Sequence, residues 1–115
     1  MSSNITESIS ITNHARNRWV QRIANKDERR YQYQKFTLDS MIADDIKMGK
    51  ENRSIYNNHS FIAYIIDRHG PYNFRFWVSD RAVYIYREIE GTNLVITCYS
   101  VDSTHLVHLK KGPRY

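Results

Sequence analysis

The sequence predicts an α+β fold in which two N-terminal helices pack on an antiparallel sheet of four to five strands. Two observations lead to this fold class. Before Gly49 the apolar residues recur at helical spacing, and after it they alternate or form short continuous runs, as strands do. The length of 115 residues matches one domain with one hydrophobic core. We therefore expect residues 1–115 to form a single domain.

The first helix is predicted from Thr12 or Asn13 to Ala24, because either of the first two side chains can cap a helix N-terminus. Its apolar stripe advances four residues at a time: Ala15, Trp19 and Ile23. Residues 1–10 have no helical periodicity. They are predicted to be a flexible arm or a segment that pairs at a sheet edge.

A second helix is predicted from Asn25 to Gly49. Asn25 is a favourable N-cap, and the carboxylates of Asp27 and Glu28 in the next turn suit the positive end of a helix dipole. Gly49 is placed to end the helix as a C-terminal cap. The residues expected to be buried follow the three- and four-residue spacing of a helix: Tyr31, Leu38, Met41, Ile42 and Ile46.

The strands are predicted after Gly49. The segment 61–67, FIAYIID, is apolar on both faces and is predicted as a strand inside the sheet, followed by turn residues that end at Pro71. Further strands are predicted at residues 74–80, 81–90, 94–101 and 104–109, with turns between them. Residues 110–115 are predicted to be a basic tail.

Composition and charge narrow the class of protein. A hydrophobic content of 41% with 13% aromatic residues is enough for a packed core and argues against a disordered chain. The formal charge of +5 and a pI near 9.4 favour an anionic partner, such as RNA or another phosphate-bearing ligand. There is neither a signal-peptide pattern nor an apolar run of membrane-spanning length, so a cytoplasmic protein without membrane contact is predicted.

Cysteine and histidine spacing gives no indication of a metal or cofactor. Cys98 is the only cysteine and has apolar neighbours, so it is predicted to be a buried hydrophobic residue. His59 and His69 lie in turn-like sequence and are predicted at the surface. His105 and His108 are three apart on the last predicted strand and would point to opposite faces. We therefore predict no metal site and no cofactor.

The segment ITNHARNRWVQRI, residues 11–23, contains the first candidate site. In a helix His14, Arg18 and Arg22 recur at intervals of four and form one edge beside the apolar stripe. Two interpretations remain open at this point. In the first, the edge is a solvated helix face whose arginines cover the core. In the second, it binds successive phosphates or, together with the sheet, lines one wall of a cleft.

A second candidate lies on the strands. Arg87 shares a strand face with Val83 and Ile85, and a buried guanidinium there needs an anion or several hydrogen-bond acceptors. If it is an anion, it is either a nearby carboxylate or a substrate phosphate. Tyr99 on the next strand either packs in the core or offers a hydroxyl and a stacking ring. The acidic pair at residues 44 and 45 is predicted to be solvated, because adjacent helical side chains diverge.

Taken in order, these segments resemble the small BrnT-like and RelE-like proteins of bacteria, phages and mobile elements, which are grouped with barnase, EndoU and colicin ribonucleases. The matching features are His14-Ala15-Arg16-x-Arg18 with a later Arg22, then strands with the runs VYIYR and VITCYS. The resemblance covers about residues 11–101, and the C-terminal charged elements of many RelE-like toxins are not clearly matched by HLKKGPRY.

The resemblance implies a metal-independent endoribonuclease in which the RNA 2′-hydroxyl attacks the adjacent phosphate. It implies His14 as acid or base, Arg87 and Tyr99 as catalytic companions, and Arg16, Arg18 and Arg22 as substrate-binding residues. An antitoxin or a host protein would be a further partner. The alternative is a non-catalytic phage or mobile-element protein that binds nucleic acid or nucleotide, or that inhibits a host protein.

Overall fold

A sheet of five strands lies between helices on both of its faces. The computed structural model describes residues 8–71 and 73–101, and the predicted strand 104–109 and tail 110–115 lie outside them. The elements, in chain order, are β1 Ile9–Ile11, α1 Asn13–Arg22, α2 Lys26–Arg29, α3 Lys35–Lys47, β2 Lys50–Glu51, a 3₁₀ turn Ser54–Asn57, α4 His59–His69, β3 Arg75–Val78, β4 Ala82–Ile89 and β5 Thr92–Ser100. The predicted α+β class is confirmed.

The strand order is β1-β5-β4-β3-β2, so β1 and β2 lie at the two edges. β1 pairs in parallel with β5, with Ile9 opposite Asn93 and Ile11 opposite Val95, while the other strand pairs are antiparallel. The sheet is therefore mixed, and the predicted purely antiparallel sheet was wrong in this respect. The prediction that the N-terminal segment pairs at a sheet edge is confirmed for Ile9–Ile11.

Both faces of the central strand β4 are buried. Tyr84 and Tyr86 pack into a cluster with α1 and α3, while Val83 and Ile85 pack into a second cluster with α4. Because successive side chains of a strand point to opposite faces, β4 is apolar throughout its first half. The helices thus form two layers around the sheet, and α4 covers the face opposite to α1 and α3.

Helix α1 forms as the sequence predicts. The hydroxyl of Thr12 caps the helix by accepting a hydrogen bond from the Ala15 amide, with N and O 3.0 Å apart. Ala15 and Trp19 are buried against the sheet, and Ile23 packs beside them at the C-cap. The first predicted helix and its apolar stripe are confirmed.

The second predicted helix is divided into α2 and α3. Asn25 and Glu28 form a reciprocal capping box at the start of α2, which ends after a single turn. Residues 32–36 are all exposed, so no apolar contact holds a continuous helix across this stretch. Helix α3 then buries three of the predicted positions: Leu38, Ile42 and Ile46.

The segment Phe61–Asp67 belongs to helix α4, and its prediction as a strand was wrong. The Asn58 side chain caps α4 by accepting from the Phe61 amide, and Gly70 follows the last turn with φ 91°. Phe61 and Ile65, four residues apart, are buried on the sheet while Ile66 is exposed. Packing of one helical stripe overrides the strand preference of the β-branched and aromatic residues.

A polar chain crosses the interface between α1, α3 and the sheet. The Trp19 indole donates to the Tyr84 hydroxyl at 2.9 Å, and that hydroxyl donates to the Asp45 carboxylate. The Ser79 hydroxyl donates to the same carboxylate oxygen at 2.7 Å. Asp45 therefore satisfies two hydroxyl groups, and the prediction that it is merely solvated was wrong. Its neighbour Asp44 is exposed, as predicted.

Gly49 follows the last turn of α3 and packs tightly on β3. A Cβ atom at this position would lie 2.5 Å from the Val78 carbonyl oxygen, which is backbone and cannot move aside cheaply. We expect Gly49→Ala to lower the free energy of unfolding by about 1–3 kcal/mol. Urea denaturation measures this loss. Gly91→Asn is the matched control for a side chain added without a clash, because nothing lies within 4 Å of a Cβ at residue 91 and asparagine is among the residues that adopt a positive φ most readily. Equal stability of Gly49→Ala and the wild type would contradict the close approach.

Candidate functional site

Helix α1 lies along the part of β5 that β1 does not cover. The Thr12 hydroxyl donates to the Ile96 carbonyl at 3.1 Å, and an Arg22 Nη atom donates to the Cys98 carbonyl at 3.0 Å. Because Ala15 and Trp19 pack on one face of the sheet, the adjoining helix edge projects past β5 toward the layer of α4. This is the edge that carries His14, Arg18 and Arg22.

The C-terminus of α4 meets this edge. The rings of His14 and His69 are arranged edge to face, with their centroids 6.0 Å apart. His69 also lies 6.2 Å from the ring of Phe74, which leads into β3. His14 is exposed and His69 is half-buried, so the pair is open to solvent on the side of α1.

A row of rings and guanidinium groups extends from the histidine pair. The Arg22 guanidinium carbon lies 4.5 Å from the centroid of the Tyr99 ring, and the Tyr64 ring lies 6.0 Å from Tyr99. The Arg68 guanidinium carbon lies 4.8 Å from the centroid of Tyr64. We call the following group the α1–α4 surface: His14, Arg22, Tyr64, Arg68, His69 and Tyr99.

The surroundings lower the pKa of both imidazoles. Partial burial and the positive charges of Arg18 and Arg22 lower the pKa of His14 below 6.5. Partial burial, followed by His14, Arg68 and Arg22, lowers the pKa of His69. Both rings are therefore predominantly neutral at pH 7, and a bound anion would raise their pKa by opposing the arginine charges.

These shifts predict a pH-dependent stability. The pKa of each imidazole is lower in the folded protein than in the unfolded chain, where it is near 6.5, so the unfolded chain takes up protons first on acidification. We expect Tm to fall as the pH is lowered from about 7.5 to about 5.5. Glu28, the carboxyl whose pKa is lowered by Arg81, titrates below this window.

Circular-dichroism melts of wild type and the His14→Gln/His69→Gln double variant measure the effect. The double variant should lose less Tm over this pH interval than the wild type, because glutamine does not titrate. His59→Gln, an exposed histidine at the start of α4, is the control and should keep the full decrease. A double variant that loses as much Tm as wild type would contradict the assigned cause.

The structure brings together His14, Arg22 and Tyr99 among the predicted site residues. Arg18 lies on the same helix edge, where its guanidinium donates to the Gln21 side chain at 2.7 Å and its charge lowers the pKa of His14. Arg87 lies on β4 opposite Leu94, continuing the face of Val83 and Ile85 that α4 covers. It belongs to the end of the sheet at which Phe74 enters β3.

Arg16 lies elsewhere. Its guanidinium makes a bidentate ion pair with Asp39 of α3, at 2.5 and 3.0 Å, and also donates to Asn13. Since Arg16 and His14 are two residues apart in a helix, their side chains are separated by about 200° around α1. Its predicted role in substrate binding stays a prediction, on a surface separate from that of His14.

Sequence reasoning missed Tyr64, Arg68 and His69, which all lie on α4. A helical spacing was present, because His69 follows Phe61 and Ile65 at intervals of four and so continues the stripe that packs on the sheet. Tyr64 and Arg68 are likewise four apart. The mistaken strand at residues 61–67 concealed both spacings, and His69 was therefore assigned to a turn.

The side chain of Cys98 is part of the hydrophobic core and has no role at the candidate site. Burial raises the pKa of the Cys98 thiol to about 12, so it is a protonated thiol and not a nucleophile at neutral pH. Among residues 8–71 and 73–101, no three His, Cys, Asp or Glu side chains come together as a metal site. In the same residues, no helix has the length and apolar character needed to cross a membrane.

Comparison with protein-family models, curated proteins and solved structures finds no match for this chain. The resemblance to BrnT-like and RelE-like proteins stays a prediction.

Proposed function

We propose that this protein is a small RNA-binding enzyme that cleaves RNA without a metal ion, at the α1–α4 surface. The observation that carries the proposal is the contact between His14 and His69 beside Arg22 and Arg68, with 6.0 Å between the two ring centroids. Cleavage by the 2′-hydroxyl requires one proton acceptor and one proton donor near the same phosphate. Two adjacent imidazoles next to cations supply both.

The proposed reaction is an internal transfer of the phosphodiester. One neutral imidazole accepts the proton of the 2′-hydroxyl, whose oxygen forms a bond to phosphorus. The bond from phosphorus to the 5′-oxygen breaks, and the other imidazole, protonated once the phosphate has raised its pKa, gives its proton to that oxygen. The products are a 2′,3′-cyclic phosphate and a 5′-hydroxyl end.

The neighbouring groups serve binding and charge stabilisation. Arg22 is held by the Cys98 carbonyl and the Tyr99 ring, so its position is fixed before a phosphate arrives. Burial, followed by the Tyr64 hydroxyl, raises the pKa of Tyr99, which stays a neutral phenol able to donate a hydrogen bond. Arg68 over Tyr64 offers a planar cation on which an unpaired base stacks.

Incubation of the protein with single-stranded RNA in EDTA tests the proposal. We expect fragments with 2′,3′-cyclic phosphate ends, and no cleavage of DNA of the same sequence because DNA lacks the attacking hydroxyl. Intact RNA at high protein concentration would refute the enzymatic role. If binding then persists and weakens steeply with added salt, the non-catalytic alternative of a nucleic-acid-binding protein is supported instead.

A further inference from the structure

Two aromatic rings at the corner between α2 and α3 are almost fully exposed. Tyr33 is 90% exposed and Phe36 is 89% exposed. Large apolar side chains in water forgo the stabilisation that burial gives. Neither ring supports the described fold, since the buried positions of α3 begin at Leu38.

The charge around these rings is positive. The exposed cations of this corner are Lys26, Arg29, Arg30 and Lys35. Two of the three acidic residues nearby are neutralised within the fold, because Glu28 pairs with Arg81 at 2.5 Å and Asp39 pairs with Arg16 at 2.5 Å. The corner therefore presents exposed cations to solvent with only Asp27 as a further carboxylate.

A groove of about 470 Å³ adjoins Phe36 and Lys35. Its walls are β1 on one side and the first turns of α3 on the other, and the Arg16–Asp39 ion pair lines it. The carboxylate oxygens of Asp39 and the hydroxyl of Ser40 are hydrogen-bond acceptors at the groove surface. An exposed ring, a cation and hydrogen-bonding groups thus surround one concave space.

We propose that this corner, defined by Arg29, Arg30, Tyr33, Lys35 and Phe36 with the adjoining groove, binds single-stranded RNA. Exposed rings among lysines and arginines are the combination that single-stranded nucleic acid requires, since bases stack on the rings and phosphates pair with the cations. The positive charge of the corner selects this ligand over a second copy of the chain, whose own charge is +5.

The choice of RNA as the ligand of this corner rests on the proposed function. The corner would give the RNA that binds at the α1–α4 surface a second contact with the protein. Arg16 lines the groove while His14 lies on the opposite side of α1, so about one helix diameter, roughly 10–12 Å, separates the groove from the histidine pair. An RNA strand that crosses the N-terminus of α1 reaches both. Binding at the corner raises the affinity for long RNA and leaves the chemical step to the histidines.

Fluorescence anisotropy with labelled oligouridylate of about 15 nucleotides tests the inference, using the His14→Ala/His69→Ala protein so that the RNA stays intact. In this background Tyr33→Ala/Phe36→Ala should raise Kd by about 30-fold or more, since each of the two rings loses a stacked base. Met48→Ala is the matched control, because Met48 is an 80% exposed apolar residue just after α3, and its loss should leave Kd unchanged. Arg29→Gln/Arg30→Gln should reduce the salt dependence of binding.

An unchanged Kd for Tyr33→Ala/Phe36→Ala would overturn the inference. Self-association of the wild type in sedimentation runs that disappears in Phe36→Ala would also overturn it and identify a protein interface. The two proposals fail separately. If the wild type does not cleave RNA but Tyr33→Ala/Phe36→Ala still weakens binding, only the ribonuclease proposal is lost. If the wild type cleaves a dinucleotide and long RNA alike and Kd is unaffected, only the RNA-binding corner is lost.

Discussion

Replacing His69 by alanine should lower the rate of RNA cleavage by about 10²–10⁴-fold, which is the usual contribution of a positioned acid or base. The reason is that His69 is one of the two imidazoles in contact at the α1–α4 surface, and His14 alone cannot accept one proton and donate another in the same event. His14→Ala should have a similar effect. Initial rates on a labelled oligonucleotide measure both.

The matched control is His59→Ala, on the first residue of the same helix, which should retain wild-type activity. Because His69 is half-buried against Phe74, a melting curve must show that His69→Ala is folded before its rate is interpreted. His69→Gln, which preserves much of the side-chain volume but does not titrate, keeps the test valid if alanine destabilises the helix end. Wild-type rates in folded His69→Gln would remove His69 from the mechanism.

Asp45→Ala should lower the free energy of unfolding by about 2–4 kcal/mol, the second large effect that the structure predicts. The substitution leaves the hydroxyls of Tyr84 and Ser79 without their shared acceptor. The Tyr84 ring is fully buried, and a buried hydroxyl that loses its acceptor is destabilising. Denaturant titration followed by tryptophan fluorescence measures the loss, and Trp19, which donates to the same tyrosine, reports on the site directly.

Asp44→Ala is the control at the adjacent position. Asp44 is exposed and has a 3.9 Å ion pair with Lys47, so its removal should change stability by no more than about 0.5 kcal/mol. Asp45→Asn, which keeps one acceptor oxygen, should fall between wild type and Asp45→Ala. Equal stability of the two alanine variants would contradict the role of Asp45 as the acceptor in the buried polar chain.

Most of the first helix and of the central strands could be predicted from local patterns. Thr12 caps α1 and Trp19 lies on its buried stripe because caps and apolar spacing act within a few residues of the chain. The alternation of β4 likewise assigns Val83 and Tyr84 to opposite faces. The His14, Arg18 and Arg22 edge followed directly from the helix period.

Helix α4, which lies against the His14 edge of α1, could not be predicted in the same way. Ile62, Tyr64 and Ile65 favour strands by residue type, and packing on a sheet formed largely by later residues stabilises the helix against that preference. The division of the second helix has the same origin, since local propensity across residues 32–36 does not reveal that they lack a surface to pack against. The spacing of Phe61, Ile65 and His69 indicates that they share a helix face, but it does not indicate that this face brings His69 beside His14.

The parallel pairing of β1 with β5 has a consequence for how the molecule forms. The hydrogen bond from Thr12 to Ile96 spans 84 positions of the chain, and Arg22 likewise requires the carbonyl of Cys98. During synthesis the first strand and helix leave the ribosome long before their partner strand exists. Closing so long a loop slows folding, and the surface that carries His14, Arg22 and Tyr99 is completed only after the last described strand is made. A nascent chain that does not yet include β5 therefore lacks the candidate site, so any RNA-cleaving activity requires synthesis to continue past Ser100.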